Sequence, residues 1–590
     1  MDFWTEFSRT LMWRPRQALV GLYWHLTGRR VRARNRMRAN YHEAPHFYSI
    51  WIETIERGST QVAAAREALA QWPATPRISM ILPWAGDLQS SRLAEAVGAV
   101  EMQILSPFEA IAVLPEAVAV PPVLDRPFVR IVRGPSANAA EALQTAIAAA
   151  SGDWALPMSA GSLPSASAVY RFAEAALIDP GACAFFADHD HVDDNGLRSR
   201  PWLKPLWNAE MALSQDYISQ SCIVAMAKLR EALPLAAELA AAPIYALMLR
   251  VGRSGGARIV HVPHILARVP LDTAPADQSA RLAVVAEAVA PLGGTAEADR
   301  HGLVRVIWPL PADPPLVSII VPTRDKVELL RKCLDSLYGL TTWPAYEVLV
   351  MDNGSVEPAT LSYFDALKRR ANLRILPWDR PYNYSEINNA AARAARGSHL
   401  CLLNNDTEVI DGRWLELLMR QAVRPEVGAV GARLLYADGS IQHAGVVIGM
   451  GNAAGHAHRF QKPDDRGYFH QADVTRFVSA VTAACLVVEK RKFEKVGGLD
   501  EENLAIAYND VDFCLKLQDA GWRNVYVPHA VLTHHESLSR GDDLSAEHRA
   551  RYFRELAVLQ ERWDTIRCCD PLFHPRLDRA CETYTICLHG

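Results

Sequence analysis

The chain repeats itself. Ile78-Ser79-Met80-Ile81-Leu82-Pro83 returns as Val317-Ser318-Ile319-Ile320-Val321-Pro322. Gly152-Asp153-Trp154-Ala155-Leu156-Pro157-Met158 returns as Gly397-Ser398-His399-Leu400-Cys401-Leu402-Leu403, and Arg258-Ile259-Val260-His261-Val262-Pro263-His264 as Arg523-Asn524-Val525-Tyr526-Val527-Pro528-His529. Segments that recur in one order imply two copies of one domain. Each copy opens on a short apolar run followed by helical spacing, as in Leu329, Leu330, Cys333, Leu334 and Leu337. Apolar runs without alternation read as strands buried on both faces, and their alternation with helices implies a parallel, doubly wound α/β sheet.

A length of 590 residues exceeds one typical core. The expected division is an N-terminal helical segment over 1–76, a first α/β domain over 77–275, a linker over 276–313 and a second α/β domain with a helical tail over 314–590. A net charge of -4 argues against nucleic acid as the main partner. Ten cysteines are scattered without C-x-x-C spacing, which points to a reducing, cytoplasmic compartment. No apolar run reaches the roughly 18 residues of a membrane span, and no signal peptide is visible.

Residues 1–40 differ from the rest. Nine arginines, from Arg9 to Arg38, face only Asp2 and Glu6, and Phe3, Trp4, Phe7, Trp13, Tyr23 and Trp24 interleave with them. This composition suits peripheral contact with the anionic inner face of a membrane; a docked helix pair is the other reading. In the first copy, Asp188-His189-Asp190-His191 with Asp193 and Asp194 reads as a polar loop after a strand, with metal binding as its alternative.

The chemistry concentrates in the second copy. Leu400 to Leu403 is a strand that stops at Asn404-Asn405-Asp406, and in extended chain Asn404 and Asp406 share one face. Oxygen donors at the carboxyl end of a buried strand suit a hard divalent cation carrying a phosphate. Asp352 ends the strand before, ahead of Asn353-Gly354-Ser355. Asp510 and Asp512 open a helix, where an aspartate is either an N-terminal cap or a general base. His534 follows a strand as a candidate metal ligand, and Arg540 is placed to clamp a phosphate. Gly449-Met450-Gly451-Asn452-Ala453-Ala454 imitates a dinucleotide-binding pattern, but no helix pattern follows it, so an acceptor loop is the better reading.

These stretches, together with Gly428-Ala429-Val430-Gly431-Ala432, Ile441-Gln442-His443-Ala444-Gly445 and His534-His535-Glu536-Ser537-Leu538-Ser539-Arg540-Gly541, resemble the family 2 glycosyltransferases, most of all bacterial rhamnosyltransferase-like members that build surface polysaccharides. The resemblance is strong over 314–575 and weak over 77–270. It implies two tandem GT-A-like, Rossmann-like domains. It further implies inverting transfer from a UDP- or dTDP-sugar to a saccharide or lipid-linked saccharide. Asn404, Asp406 and His534 would hold Mg²⁺ or Mn²⁺. Pro322, Thr323, Asp352, Asn353, Gly354, Asn388, Asn405 and Arg540 would bind the donor, and Asp510, or alternatively Asp512, would be the base. Asn404 replaces the first acid of the family's D-x-D. Aligned through its glycines, the first copy has Ser159, Ala160 and Gly161 in place of Asn404, Asn405 and Asp406, and Ile244 and Ala246 near Asp510 and Asp512, so it is expected to lack catalysis. A non-catalytic saccharide-binding scaffold and a bifunctional tandem enzyme are the competing readings.

Overall fold

The computed structural model describes residues 3–44, 46–56, 62–83, 86, 90–159, 161–271, 277–299, 301–462, 464–535 and 548–587. The chain divides into two compact units. One comprises Met1–Tyr41, Trp308–Phe573 and Asp578–Thr585; the other His42–Ile307, His574–Leu577 and Ile586–Gly590.

Each unit is an α/β body around one large sheet, and the two sheets have the same strand order. In the His42–Ile307 unit the strands lie Val129–Arg133, Glu109–Leu114, Ile78–Ile81, Trp154–Pro157, Cys222–Ala225, Ala184–Val192, Ile259–Pro270, Leu163–Pro164. In the Trp308–Phe573 unit they lie Leu373–Pro377, Tyr346–Asp352, Val317–Thr323, His399–Leu403, Cys485–Glu489, Val427–Leu435, Arg523–His534, Thr407–Val409. The first four strands of each run parallel. The fifth is antiparallel to both neighbours, and the sixth and seventh are again parallel to each other. This is the mixed α/β architecture of two tandem GT-A-like domains.

The apolar runs form strands because helices cover both faces of the sheet. Val317, Ile319 and Val321 pack with Leu330, Leu334 and Leu337 on one side. Ile320 turns to the other and meets Ile387 and Leu402. A strand so covered has no polar face to alternate with, hence its continuous hydrophobic sequence.

The repeat extends to a polar bracket. Ser318 Oγ donates to Glu347 Oε1 at 2.7 Å, Gly397 N to Ser318 Oγ at 2.9 Å, and Arg396 N to Glu347 Oε1 at 2.7 Å. Ser79, Glu109, Gly152 and Ser151 repeat it at 2.8, 3.0 and 2.7 Å. Burial works to raise both glutamates, but the donors around them prevail and hold each carboxyl below its ordinary value. A Cβ on Gly152 would stand 2.5 Å from Ser79 Oγ, and one on Gly397 2.6 Å from the Leu316 carbonyl oxygen. Only glycine fits where a helix exit passes this close to the neighbouring strand.

The stretch 276–313 holds helix Gln278–Val289 and an antiparallel hairpin of Thr295–Ala298 with Val304–Ile307. One expectation changes. Asp188 to His191 lie in the strand Ala184–Val192 and not in a loop; Asp188 is buried against His261 and His574, and Asp190 against Tyr48 and Arg198.

Candidate active site

The strand His399–Leu403 ends at Asn404, whose carbonyl oxygen accepts from Thr407 N at 3.2 Å and Thr407 Oγ1 at 2.7 Å. This tight turn launches Thr407–Val409, which pairs with Arg523–His534 so that Thr407 faces His534. The pairing carries His534 to Asp406: its Nε2 lies 3.1 Å from Asp406 Oδ1 and 3.2 Å from Asn404 Nδ2. Its Nδ1 lies 2.7 Å from Gln442 Oε1. A side-chain amide oxygen only accepts, so Gln442 fixes the proton on Nδ1 and leaves the Nε2 lone pair facing the turn. A carboxylate oxygen and an imidazole lone pair at this spacing, with the imidazole oriented from behind, fit Mg²⁺ or Mn²⁺, while Asn404 turns its Nδ2 to the imidazole and its Oδ1 accepts from the Tyr384 hydroxyl at 3.3 Å.

Asp510 enters from another element. Tyr508, in left-handed backbone at φ 61°, turns the chain into helix Asn509–Asp519. Asp510 Oδ2 accepts from Ala483 N at 3.0 Å and Oδ1 from Val511 N at 2.8 Å. Burial raises its carboxyl above the ordinary value, and hydrogen bonds from Ala483, Thr482 and Val511 oppose the rise. Asp512 is different. It is fully buried, takes Arg562 Nη1 at 2.7 Å and Trp563 Nε1 at 2.9 Å, and sits 3.4 Å from Lys516 Nζ. Residues two apart on a helix point in nearly opposite directions, so Asp510 faces the cleft and Asp512 the tail helix Arg549–Trp563.

Eight of the expected residues line one cavity of 820 Å³: Pro322, Thr323, Asn353, Asn404, Asn405, Asp406, Asp510 and His534. Asn405 Nδ2 donates to Thr323 Oγ1 at 3.0 Å, which joins two strand ends. Asp352, Gly354, Asn388 and Asp512 are not in its lining. Asp352 Oδ1 accepts from Ser355 N at 2.9 Å in the turn where Gly354 takes φ 68°. Asn388 is buried in helix Tyr384–Ala394, with its Nδ2 on the Tyr384 carbonyl at 2.8 Å. Arg540 lies outside the described residues. The cavity also has Lys326, Tyr384, Gln442, His456, Tyr508 and Tyr552 in its wall. Gln442 stood in a stretch that sequence had marked, without a role of its own.

The corresponding strand ends of the other unit carry different residues. The paired registers put Gly161 where Asp406 stands and Val269 where His534 stands, and helix Pro243–Arg253 puts Ile244 where Asp510 stands. Ser159 Oγ donates to the Ser219 carbonyl at 2.8 Å, closing the edge. Nearby, Asp188 takes His261 Nε2 at 2.8 Å and His574 Nε2 at 2.9 Å. His574 Nδ1 accepts Arg576 N at 3.0 Å, so its proton is on Nε2 and points at Asp188. Burial works to raise this carboxyl, yet the two histidines hold it well below its ordinary value. The group is a closed hydrogen-bonded cluster whose ring nitrogens are turned to the carboxylate.

Residues 318–485 match the family model described as Glycosyl transferase family 2. The chain is 37% identical over 467 residues to the protein y4gI of Sinorhizobium fredii, covering 76% of this chain and 51% of that one. It is 34% identical over 557 residues to the O-antigen biosynthesis protein RfbC of Myxococcus xanthus, covering 90% and 42%. It is 29% identical over 259 residues to N-acetylglucosaminyl-diphospho-decaprenol L-rhamnosyltransferase of Mycobacterium tuberculosis, covering 40% and 83%. The chain spans about half the length of the first two of these relatives.

Proposed function

Because residues 318–485 belong to glycosyl transferase family 2, we propose that the chain moves a sugar from a nucleoside diphosphate donor to a saccharide hydroxyl, with inversion, in the assembly of a bacterial surface polysaccharide. One observation carries this reading: Asp406, His534 and Asp510, from three separate elements, line a single cleft.

Asp510 is the base. Its carboxylate takes the proton of the acceptor hydroxyl as that oxygen attacks the anomeric carbon, on the face opposite the departing diphosphate. Asn404, Asp406 and His534 would hold Mg²⁺ or Mn²⁺, which when bound offsets the charge growing on the diphosphate. Thr323, Asn353 and Asn405 shape the donor's end of the cleft, and Tyr384 donates from its hydroxyl to the Ala483 carbonyl at 3.1 Å beside the metal-side turn. Asp352 and Asn353 form the turn that would meet the nucleoside. The relatives' names support a polysaccharide acceptor; a lipid-linked saccharide and a UDP- or dTDP-sugar donor extend that reading. Ten free thiols suit a reducing, cytoplasmic setting, where nucleotide sugars are available.

The test is a panel of nucleotide sugars with Mn²⁺ or Mg²⁺, read as nucleoside diphosphate release and as the anomeric configuration of the product. Metal-dependent release that Asp406→Ala abolishes is the expected result. Absence of release with every donor, despite binding, favours the non-catalytic saccharide-binding reading.

A further inference from the structure

The first three helices carry a surface that the transfer site does not use. Phe3–Trp13 and Pro15–Leu26 form an antiparallel hairpin, with Phe3 stacked on His25 at 4.1 Å. The hairpin lies on a third helix, Arg30–His42. Its inner face is spoken for: a Cβ on Gly21 would collide with Met37, Ala18 and Ala33 are buried, and Glu6 meets Arg38 at 3.0 Å. The third helix spends its inward arginines on body residues, Arg32 on Asp438 at 3.1 Å and Arg38 on Asp578.

The outer face is apolar and ringed by arginine. Trp4, Leu11 and Met12 follow one stripe of the first helix, and Leu19, Tyr23 and Leu26, at i, i+4 and i+7, one stripe of the second. All six are exposed, from 40% at Leu11 to 80% at Met12. Eight of the 25 large apolar side chains exposed among the described residues fall between Trp4 and Val31, so this is a patch and not scatter. Arg9, Arg16, Arg29 and Arg30 are exposed around it. Glu6 is the one acid among the described residues of the hairpin, and it is buried.

We propose that this hairpin lies in the surface of an anionic lipid bilayer, with Trp4, Leu19, Tyr23 and Leu26 at the acyl boundary and the arginines among the headgroups. Charge decides the occupant: two copies of this face would set arginine against arginine, whereas anionic lipid complements it. Helices of 11 and 12 residues are too short to cross a bilayer, which needs roughly 20. Aromatic rings with basic flanks are the composition of a helix that lies on one.

The experiment is sedimentation of the full chain with vesicles of phosphatidylcholine alone and of phosphatidylcholine mixed with phosphatidylglycerol. Strong binding to the mixed vesicles, weakened by salt, is expected. Reversing the charge at Arg16, Arg29 and Arg30 to Glu together lowers it about a hundredfold or more. Leu19→Glu with Leu26→Glu abolishes it even at low salt. Unchanged circular dichroism and nucleotide-sugar turnover show that these variants still fold. Equal sedimentation with both vesicle types, or with neither, overturns the proposal. So does a dimer of the intact chain that Leu19→Glu with Leu26→Glu dissolves while vesicle binding is absent, which would make a second copy the occupant.

Discussion

Asp406 Oδ1 and His534 Nε2 face each other at 3.1 Å, and with Gln442 holding the proton on Nδ1 both are acceptors. Two lone pairs at this distance repel unless a cation or a proton stands between them. Gln442 is therefore as much a part of the cation site as the ligands, because it decides which nitrogen is free. Replacing it with Ala lowers Mn²⁺ affinity about 10- to 100-fold, and Asp406→Ala removes binding within the measurable range. Titration of Mn²⁺ by electron paramagnetic resonance reads this without any donor present. Unaltered affinity in Gln442→Ala would show that the imidazole needs no orienting partner.

The two aspartates of helix Asn509–Asp519 separate into chemistry and stability. Asp510→Asn keeps donor binding and lowers turnover by roughly two to four orders of magnitude, the usual loss when a general base is removed. Asp512→Asn leaves turnover near normal in the folded fraction and lowers stability by about 1–3 kcal/mol, since one charged acceptor of Arg562 and Trp563 is lost from a buried position. Turnover and chemical denaturation on both variants decide it. The reverse ranking of turnover moves the base to Asp512.

The raised Asp510 carboxyl also sets a pH dependence. A base must be ionised to work, so activity rises with pH as this group loses its proton. Because burial lifts its folded value, that rise falls at a higher pH than an ordinary aspartate would give. A profile of kcat/KM against pH should show one ascending limb there, and Asp510→Asn should lack it. A limb that persists in the variant belongs to another group.

Strand ends and the repeat were legible because they rest on local rules. Continuous apolar runs of strand length, stopped by polar or glycine turns, read as strands covered on both faces, and Gly152 and Gly397 mark the same close approach in both copies. Asp406 was legible as the residue that stops such a run. What sequence does not carry is direction. Asp510 and Asp512 look equivalent until a helix turns them apart. Asn388 looks like a donor ligand until its amide is found on the Tyr384 carbonyl inside a helix. His574 lies hundreds of residues from Asp188, and nothing in spacing foretells that tail and strand share one buried cluster. Gln442 was visible only as part of a recognised stretch, without its role.

The last prediction is that one copy works and the other does not. Three independent parts of the site are replaced in the His42–Ile307 unit: a metal carboxylate by Gly161, a metal imidazole by Val269 and the base by Ile244. Loss of any one weakens a transferase; loss of all three removes the cation, the leaving-group stabilisation and the proton acceptor together. The sheet order and the Ser–Glu–Gly bracket persist in both units. Asp188, His261 and His574 lie close enough together to hold a metal ion, but they stand in for none of these three parts, and His574 turns its proton to the Asp188 carboxylate. Calorimetric titration of the full chain with nucleoside diphosphate and Mn²⁺ should therefore give one site per chain, and Asp406→Ala should give none and no sugar transfer. A stoichiometry of two, or transfer surviving in Asp406→Ala, would establish a bifunctional tandem enzyme instead.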